Sequence, residues 1–172
     1  MAEPTSVVFL DIDGVLNRTA GASQINIEPP LVNRLKRILN ESGAKVVLST
    51  FWRHFAEYIA YILHRHGIDG GLVIGSTPGR VGSIVNAPSS HLSRSAFDDD
   101  EYACRAAEIR TWLDAHPGVT RFVILDDRPY AADEATQAFF VHTDAALGLT
   151  DADVQKALRI LSSCEWTPAA KG

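Results

Sequence analysis

Five short apolar runs punctuate the chain: SVVFL (6–10), KVVLS (45–49), GLVIG (71–75), RFVIL (121–125) and AFFVH (138–142). Each is rich in β-branched or aromatic residues and too short for a helix, which predicts strands buried on both faces. Between them the apolar positions fall at helical spacing. PPLVNRLKRILNESG opens on two prolines, stops at Gly43 and sets Leu31, Leu35, Ile38 and Leu39 on one stripe. HFAEYIAYILHRHG groups Phe55, Ile59, Ile62 and Leu63 and stops at Gly67. DEYACRAAEIRTWLDAHPG aligns Ile109, Trp112 and Leu113 and stops at Pro117-Gly118. Thr150 and Asp153 make a capping-box pattern at the head of TDADVQKALRILSS. Strands alternating with helices imply right-handed crossovers. The expected fold class is therefore α/β, a three-layer domain with a mostly parallel sheet.

The rhythm breaks once. Residues 76–100, STPGRVGSIVNAPSSHLSRSAFDDD, are rich in Ser, Gly and Pro and close on three aspartates. A loop of this length is functional or disordered, and it is read as a flexible flap or small insertion beside the site. The tail after Cys164, EWTPAAKG, is expected to fray. With no internal repeat, the 172 residues fit a single domain, 1–172.

Charge narrows the field of partners. A net charge of −5 gives no global basic field for nucleic acid or a membrane surface, although a local arginine cluster can still grip phosphates. The first residues lack a basic-then-apolar leader, and no apolar stretch is long enough for a bilayer, so a cytoplasmic location without membrane contact is expected. Cys104 and Cys164 lie far apart with no C-x-x-C spacing, which suits reduced, structural thiols.

The chemistry sits where the apolar runs end. Open parallel sheets bind ligands at the carboxyl ends of their strands. The first run ends in Asp11-Ile12-Asp13-Gly14, the second in Ser49-Thr50 and the fourth in Asp126-Asp127-Arg128. Four converging carboxylates would make a hard, oxygen-rich pocket suited to Mg²⁺, and the cation would offset their mutual repulsion. One carboxylate can act as a nucleophile toward phosphorus. A second, two residues on, can protonate a leaving alcohol and later activate water. A hydroxyl and a cation nearby would hold the phosphoryl oxygens.

D-x-D-G-V after an apolar strand, Ser/Thr closing the next strand and an Asp-Asp pair closing a later one resemble the haloacid dehalogenase (HAD) superfamily of phosphatases and phosphotransferases. The resemblance runs from Val7 to about Leu161. It implies a Rossmann-like fold with Asp11 as nucleophile and Asp13 as general acid/base. It further implies Mg²⁺ held by Asp11, the backbone carbonyl of Asp13 and Asp127, with Asp126 behind them. FLDIDGVLN, VVLSTFWR, R-x-x-E-I-x-x-W-L from Arg105 to Leu113, and VILDDR are most similar to the stand-alone phosphatase domain of Swiss Army Knife RNA-repair proteins. The phosphate-binding hydroxyl is Ser49 or Thr50, with Ser49 preferred because it directly closes the apolar run. Arg105 best fits the cation that steadies nucleophile and phosphate, with Arg80 and Arg94 as competitors and Arg53 as a substrate contact. An arginine there keeps the charge of the more common lysine but offers a fork instead of a point.

Only residues 76–100 could cap such a site, so little or no cap is expected. An open pocket suits a bulky substrate such as a polynucleotide end or a phosphoprotein. The expected activity is Mg²⁺-dependent phosphomonoester hydrolysis through an aspartyl-phosphate. The alternatives are a nucleotidase acting on free mononucleotides and a non-catalytic binding module of the same fold.

Blander readings compete at several positions. D-x-D-G alone recurs in calcium loops and Asx turns, but Val15 and Asn17 do not continue an EF-hand ligand pattern. Asp98-Asp99-Asp100 reads as a solvated run, and His64 and His66, two apart on a helix, face different ways. Trp52 and Trp112 are packing residues on this reading, with Trp52 near enough to the site to stack on a base.

Overall fold

The computed structural model describes residues 5–78 and 105–167. Five strands form one sheet: β1 (Thr5–Leu10), β2 (Lys45–Leu48), β3 (Val73–Ser76), β4 (Val119–Asp126) and β5 (Phe140–His142). Their order is β3-β2-β1-β4-β5, and every pairing is parallel. Four helices accompany them among the described residues: α1 (Pro29–Ser42), α2 (Ala56–Arg65), α3 (Arg105–Ala115) and α4 (Asp151–Ser163). This is the expected three-layer, Rossmann-like α/β architecture.

β1 lies at the centre, and Val7, Val8, Phe9 and Leu10 are all fully buried. Both faces of the strand are covered, which is why its sequence runs apolar without alternation. Each such side chain contributes about 1.5–3 kcal/mol by leaving water. The ring of Phe9 meets Trp112 of α3 and Phe122 of β4 edge-on, at 5.4 and 5.6 Å between centroids. α1 starts on its two prolines, buries Leu31, Val32, Leu35, Ile38 and Leu39, and ends where Gly43 turns left-handed and donates its N–H to the Leu39 carbonyl. α4 starts on the capping box, with Thr150 accepting from the Asp153 N–H and the Asp153 side chain accepting in return from the Thr150 N–H.

After β3 the chain returns to the far side of β1, so the strand order reverses between β1 and β4. An open parallel sheet forms its ligand crevice at such a point. The ladder also runs one residue past the strand ends. The N–H groups of Thr77, Ser49, Asp11 and Thr143 donate to the carbonyls of Leu48, Leu10, Leu125 and Asp126, at 2.9, 2.9, 3.0 and 2.9 Å. One polar residue from each of four strands is thus fixed along the carboxyl rim.

Two expectations need correction. Phe55 does not join Ile59 and Leu63 in the core; it is 52% exposed. The segment Phe51–Phe55 is a 3₁₀ turn, which shifts Phe55 out of phase with the α-helix that follows. The tail is also anchored further than expected. The Trp166 N–H donates to the Thr120 carbonyl at 2.7 Å, and its ring meets Phe122 and Phe139 edge-on. Of the 76–100 loop, only Ser76–Pro78 is described; Arg80, Arg94, Asp98–Asp100 and Cys104 lie outside the described residues. No helix among the described residues is long and apolar enough to cross a membrane.

Candidate active site and metal centre

At the switch point β1 delivers Asp11 and β4 delivers Asp126 and Asp127. Each offers an oxygen lying within 4.8 Å of an oxygen of the other two. Two of the three, Asp11 and Asp126, share one guanidinium. Arg105, the first residue of α3 and 1% exposed, places Nη1 3.0 Å from Asp11 Oδ2 and 2.6 Å from Asp126 Oδ2. The other Asp126 oxygen accepts the Arg128 N–H at 2.8 Å, so both of its oxygens are committed within the protein. Asp127 is more loosely engaged, with Arg128 Nε at 3.7 Å. Its backbone carbonyl meets His142 Nε2 at 2.9 Å.

The carboxylates outnumber the cations beside them. Burial pushes Asp126 up to about 7, with Arg105 opposing that rise and the charge of Asp11 adding to it. Burial, then the charge of Asp11, pushes Asp127 up to about 6. Carboxylates that resist ionisation, in an all-oxygen donor set, fit a small divalent cation that would reverse the shift. The residues present therefore suit Mg²⁺.

Four carboxylates were expected to converge, but only three do. The side chain of Asp13 stands outside the trio: Oδ2 accepts the Trp52 indole N–H at 3.0 Å, and Oδ1 accepts from Asn17 Nδ2 at 2.8 Å. Asn17 is fully buried and also accepts the Gly14 N–H through Oδ1 at 3.1 Å, closing the D-x-D-G-V-L-N turn on itself. Gly14 has φ +71°, and a Cβ there would sit 2.5 Å from Asp127 Cγ. The glycine of the motif is required twice over, by its backbone angle and by the approach of Asp127. The Gly14 carbonyl accepts from Thr143 Oγ1 at 2.8 Å, which ties the turn to the end of β5.

The two hydroxyls after β2 differ in their surroundings. Thr50 Oγ1 accepts the Trp52 N–H at 3.3 Å and so caps the 3₁₀ turn. Ser49 is fully buried, and its Oγ has no hydrogen-bond partner among the described residues. A buried hydroxyl without a partner is uncommon and calls for an explanation. Arg53, expected to reach substrate, is 5% exposed; its Nε donates to the Thr50 carbonyl at 2.8 Å and its Nη1 lies 3.2 Å from Glu108 of α3. In this geometry it braces the turn against α3.

Asn17, Thr143, Glu108 and the polar edge of Trp52 were not singled out from sequence. Thr143 directly follows β5, so the strand-end rule applied to the other strands would have found it. A surface hollow of about 470 Å³ lined by Ser6, Glu41, Arg121 and Arg159 opens at the amino ends of the strands, away from these groups.

Residues 7–154 match the family model for the HAD domain in Swiss Army Knife RNA repair proteins. The chain belongs to this family. As a HAD-family domain it falls with the phosphatase-type hydrolases. No curated protein and no solved structure matches it.

Proposed function

We propose that this HAD domain is a Mg²⁺-dependent phosphomonoesterase that works through an aspartyl-phosphate and acts on phosphorylated nucleic-acid ends. The observation that carries the reading is the trio of Asp11, Asp126 and the partly exposed Asp127 at the switch point, the first two paired with Arg105. Asp11, the Asp13 carbonyl and Asp127 would hold the metal, with Asp126 supporting them through Arg105. Bound Mg²⁺ would supply charge neutralisation for the phosphoryl oxygens and for the carboxylates around them.

Asp11 attacks phosphorus, and the bond to the leaving alcohol oxygen breaks. Asp13 gives that oxygen a proton, then takes one from the water that cleaves the aspartyl-phosphate. The hydrogen bonds from Trp52 and Asn17 aim Asp13. A carboxylate oxygen offers two lone-pair sites, so accepting one such bond does not bar proton transfer. Ser49 Oγ donates to a phosphoryl oxygen, which explains a buried hydroxyl without a partner among the described residues. Arg105 holds Asp11 in place and opposes the negative charge of the phosphoryl group.

The test is hydrolysis of p-nitrophenyl phosphate with Mg²⁺ and with EDTA, by the wild type and Asp11→Asn. The wild type should turn over only with Mg²⁺, and Asp11→Asn should lose about 10³-fold or more of the rate. Equal rates for the two proteins would overturn the nucleophile assignment.

A further inference from the structure

Six large hydrophobic side chains are exposed among the described residues, and three of them stand in one row on α2 and the turn before it. Phe55, Tyr58 and Tyr61 are 52%, 52% and 56% exposed. They recur every third residue, so each neighbours the next along one side of the helix. The core does not need them, because Ile59 and Leu63 of the same helix supply its buried contacts. The row begins at the catalytic rim. Phe55 lies 6.2 Å from the Trp52 ring, Trp52 lies 5.3 Å from Phe51, and the Trp52 indole N–H is bonded to Asp13.

We infer that Trp52, Phe55, Tyr58 and Tyr61 form a stacking track for the bases of a single-stranded polynucleotide whose terminal phosphate enters the Asp11 site. The inference rests on the phosphatase reading and decides between a polynucleotide end and a free mononucleotide as substrate. From Phe55 to Tyr61 the helix rises about 9 Å at 1.5 Å per residue. Stacked bases advance by about 3.4 Å, so the row has the length for two or three nucleotides beyond the reacting one.

The occupant follows from chemistry and position. Any ligand continuous with the site presents a phosphate at one end, and the exposed row beside it is aromatic throughout, as base stacking requires. Every base has a π-face, so such a track holds a strand without reading its sequence. The charge of the chain agrees with this mode. At −5 it has no global positive field to draw a strand in, and binding by stacking should depend weakly on salt. The exposed Arg65, in the last turn of α2, puts positive charge at the far end of the row.

The experiment compares p-nitrophenyl phosphate, a mononucleotide, a phosphorylated serine peptide and single-stranded oligonucleotides of two, four and six residues bearing one terminal phosphate. The full chain is used as wild type, Tyr58→Ala, Tyr61→Ala and Tyr58→Phe. The track requires KM to fall with oligonucleotide length and level off near four residues. Each alanine variant should raise the oligonucleotide KM about tenfold, leave kcat/KM for p-nitrophenyl phosphate unchanged, and be rescued at position 58 by phenylalanine. A KM independent of length, alanine variants that match the wild type, or a preference for the peptide that the alanine variants abolish would each overturn it. Quenching of tryptophan fluorescence by the phosphorylated tetranucleotide, measured on Asp11→Asn, tests binding without turnover. Quenching that persists in an inert wild type and weakens in Tyr58→Ala supports the track while sinking the phosphatase reading. Absence of quenching sinks the track.

Discussion

Replacing Gly14 by alanine tests how the site is built, and the structure supplies its own control. Gly14 has φ +71°, and the added methyl would lie 2.5 Å from Asp127 Cγ and 2.6 Å from Asp127 Cβ. Placing a non-glycine residue in this left-handed conformation costs roughly 1–2 kcal/mol. Asp127 Cβ is one bond from the main chain, so relief needs a shift of the β4 exit as well as a new rotamer. An off-rotamer side chain adds about 0.5–1.5 kcal/mol, for a total of about 1.5–3.5 kcal/mol. Gly43 has almost the same angle, φ +69°, but nothing lies within 4 Å of where its Cβ would stand. Gly43→Ala therefore reports the backbone cost alone. In thermal unfolding, Gly14→Ala should lower Tm by roughly 3–14 °C for a chain of this size, and Gly43→Ala by less, roughly 2–8 °C. Only Gly14→Ala should weaken Mg²⁺ dependence, by about 10–100-fold, because only it displaces a ligand. If the two variants lose equal stability and keep wild-type Mg²⁺ dependence, the close approach of Asp127 has no bearing on the metal site.

The raised pKa values of Asp126 (about 7) and Asp127 (about 6) make stability depend on pH in an unusual sense. Between about pH 4 and pH 7 the folded state holds protons that the unfolded chain has released, so metal-free protein should lose stability as pH rises. The slope is about 1.4 kcal/mol per pH unit while the buried Asp126 stays protonated, with a smaller, solvent-screened contribution from the partly exposed Asp127. Mg²⁺ binds the ionised form and should cancel that decline. Urea midpoints at pH 5 and pH 8, in EDTA and in Mg²⁺, check this; a gap between the two series that does not widen with pH would contradict it. Arg105→Met should cost about 3–5 kcal/mol in EDTA at pH 8, above the raised value of Asp126, because it leaves Asp11 and Asp126 buried without their cation. Its Tm should respond to Mg²⁺ more than that of the wild type, and a Tm in EDTA indistinguishable from wild type would contradict the role given to Arg105.

Much of this was legible in the residues, for identifiable reasons. A parallel strand is covered on both faces, so the runs around Val7, Val46 and Phe122 announce themselves, and helix ends at Gly43 and Thr150 carry local chemistry. The strand-end rule gathered Asp11, Ser49, Asp126 and Asp127 because topology alone puts strand ends on one rim. What failed needed side-chain direction. Asp13 follows Asp11 by two residues, yet its side chain bonds Trp52 and Asn17 and is not one of the carboxylates clustered within 4.8 Å. A tryptophan reads as apolar in sequence, so the use of its indole N–H was invisible, as was the 3₁₀ turn that exposes Phe55. Arg53 looked like a substrate contact because it follows the hydroxyl pair; its ion pair with Glu108 depends on the packing of α3, which no local pattern encodes.

The amide ladder that continues through Asp11, Ser49, Thr77 and Thr143 fastens the carboxyl rim to the buried sheet. On the proposed reading, the reacting acids sit on this ladder, whereas most of the aromatic row that would choose the substrate sits on α2. A designer could regraft the surface of α2, aromatic by aromatic, and alter which molecules are accepted while the nucleophile keeps its aim.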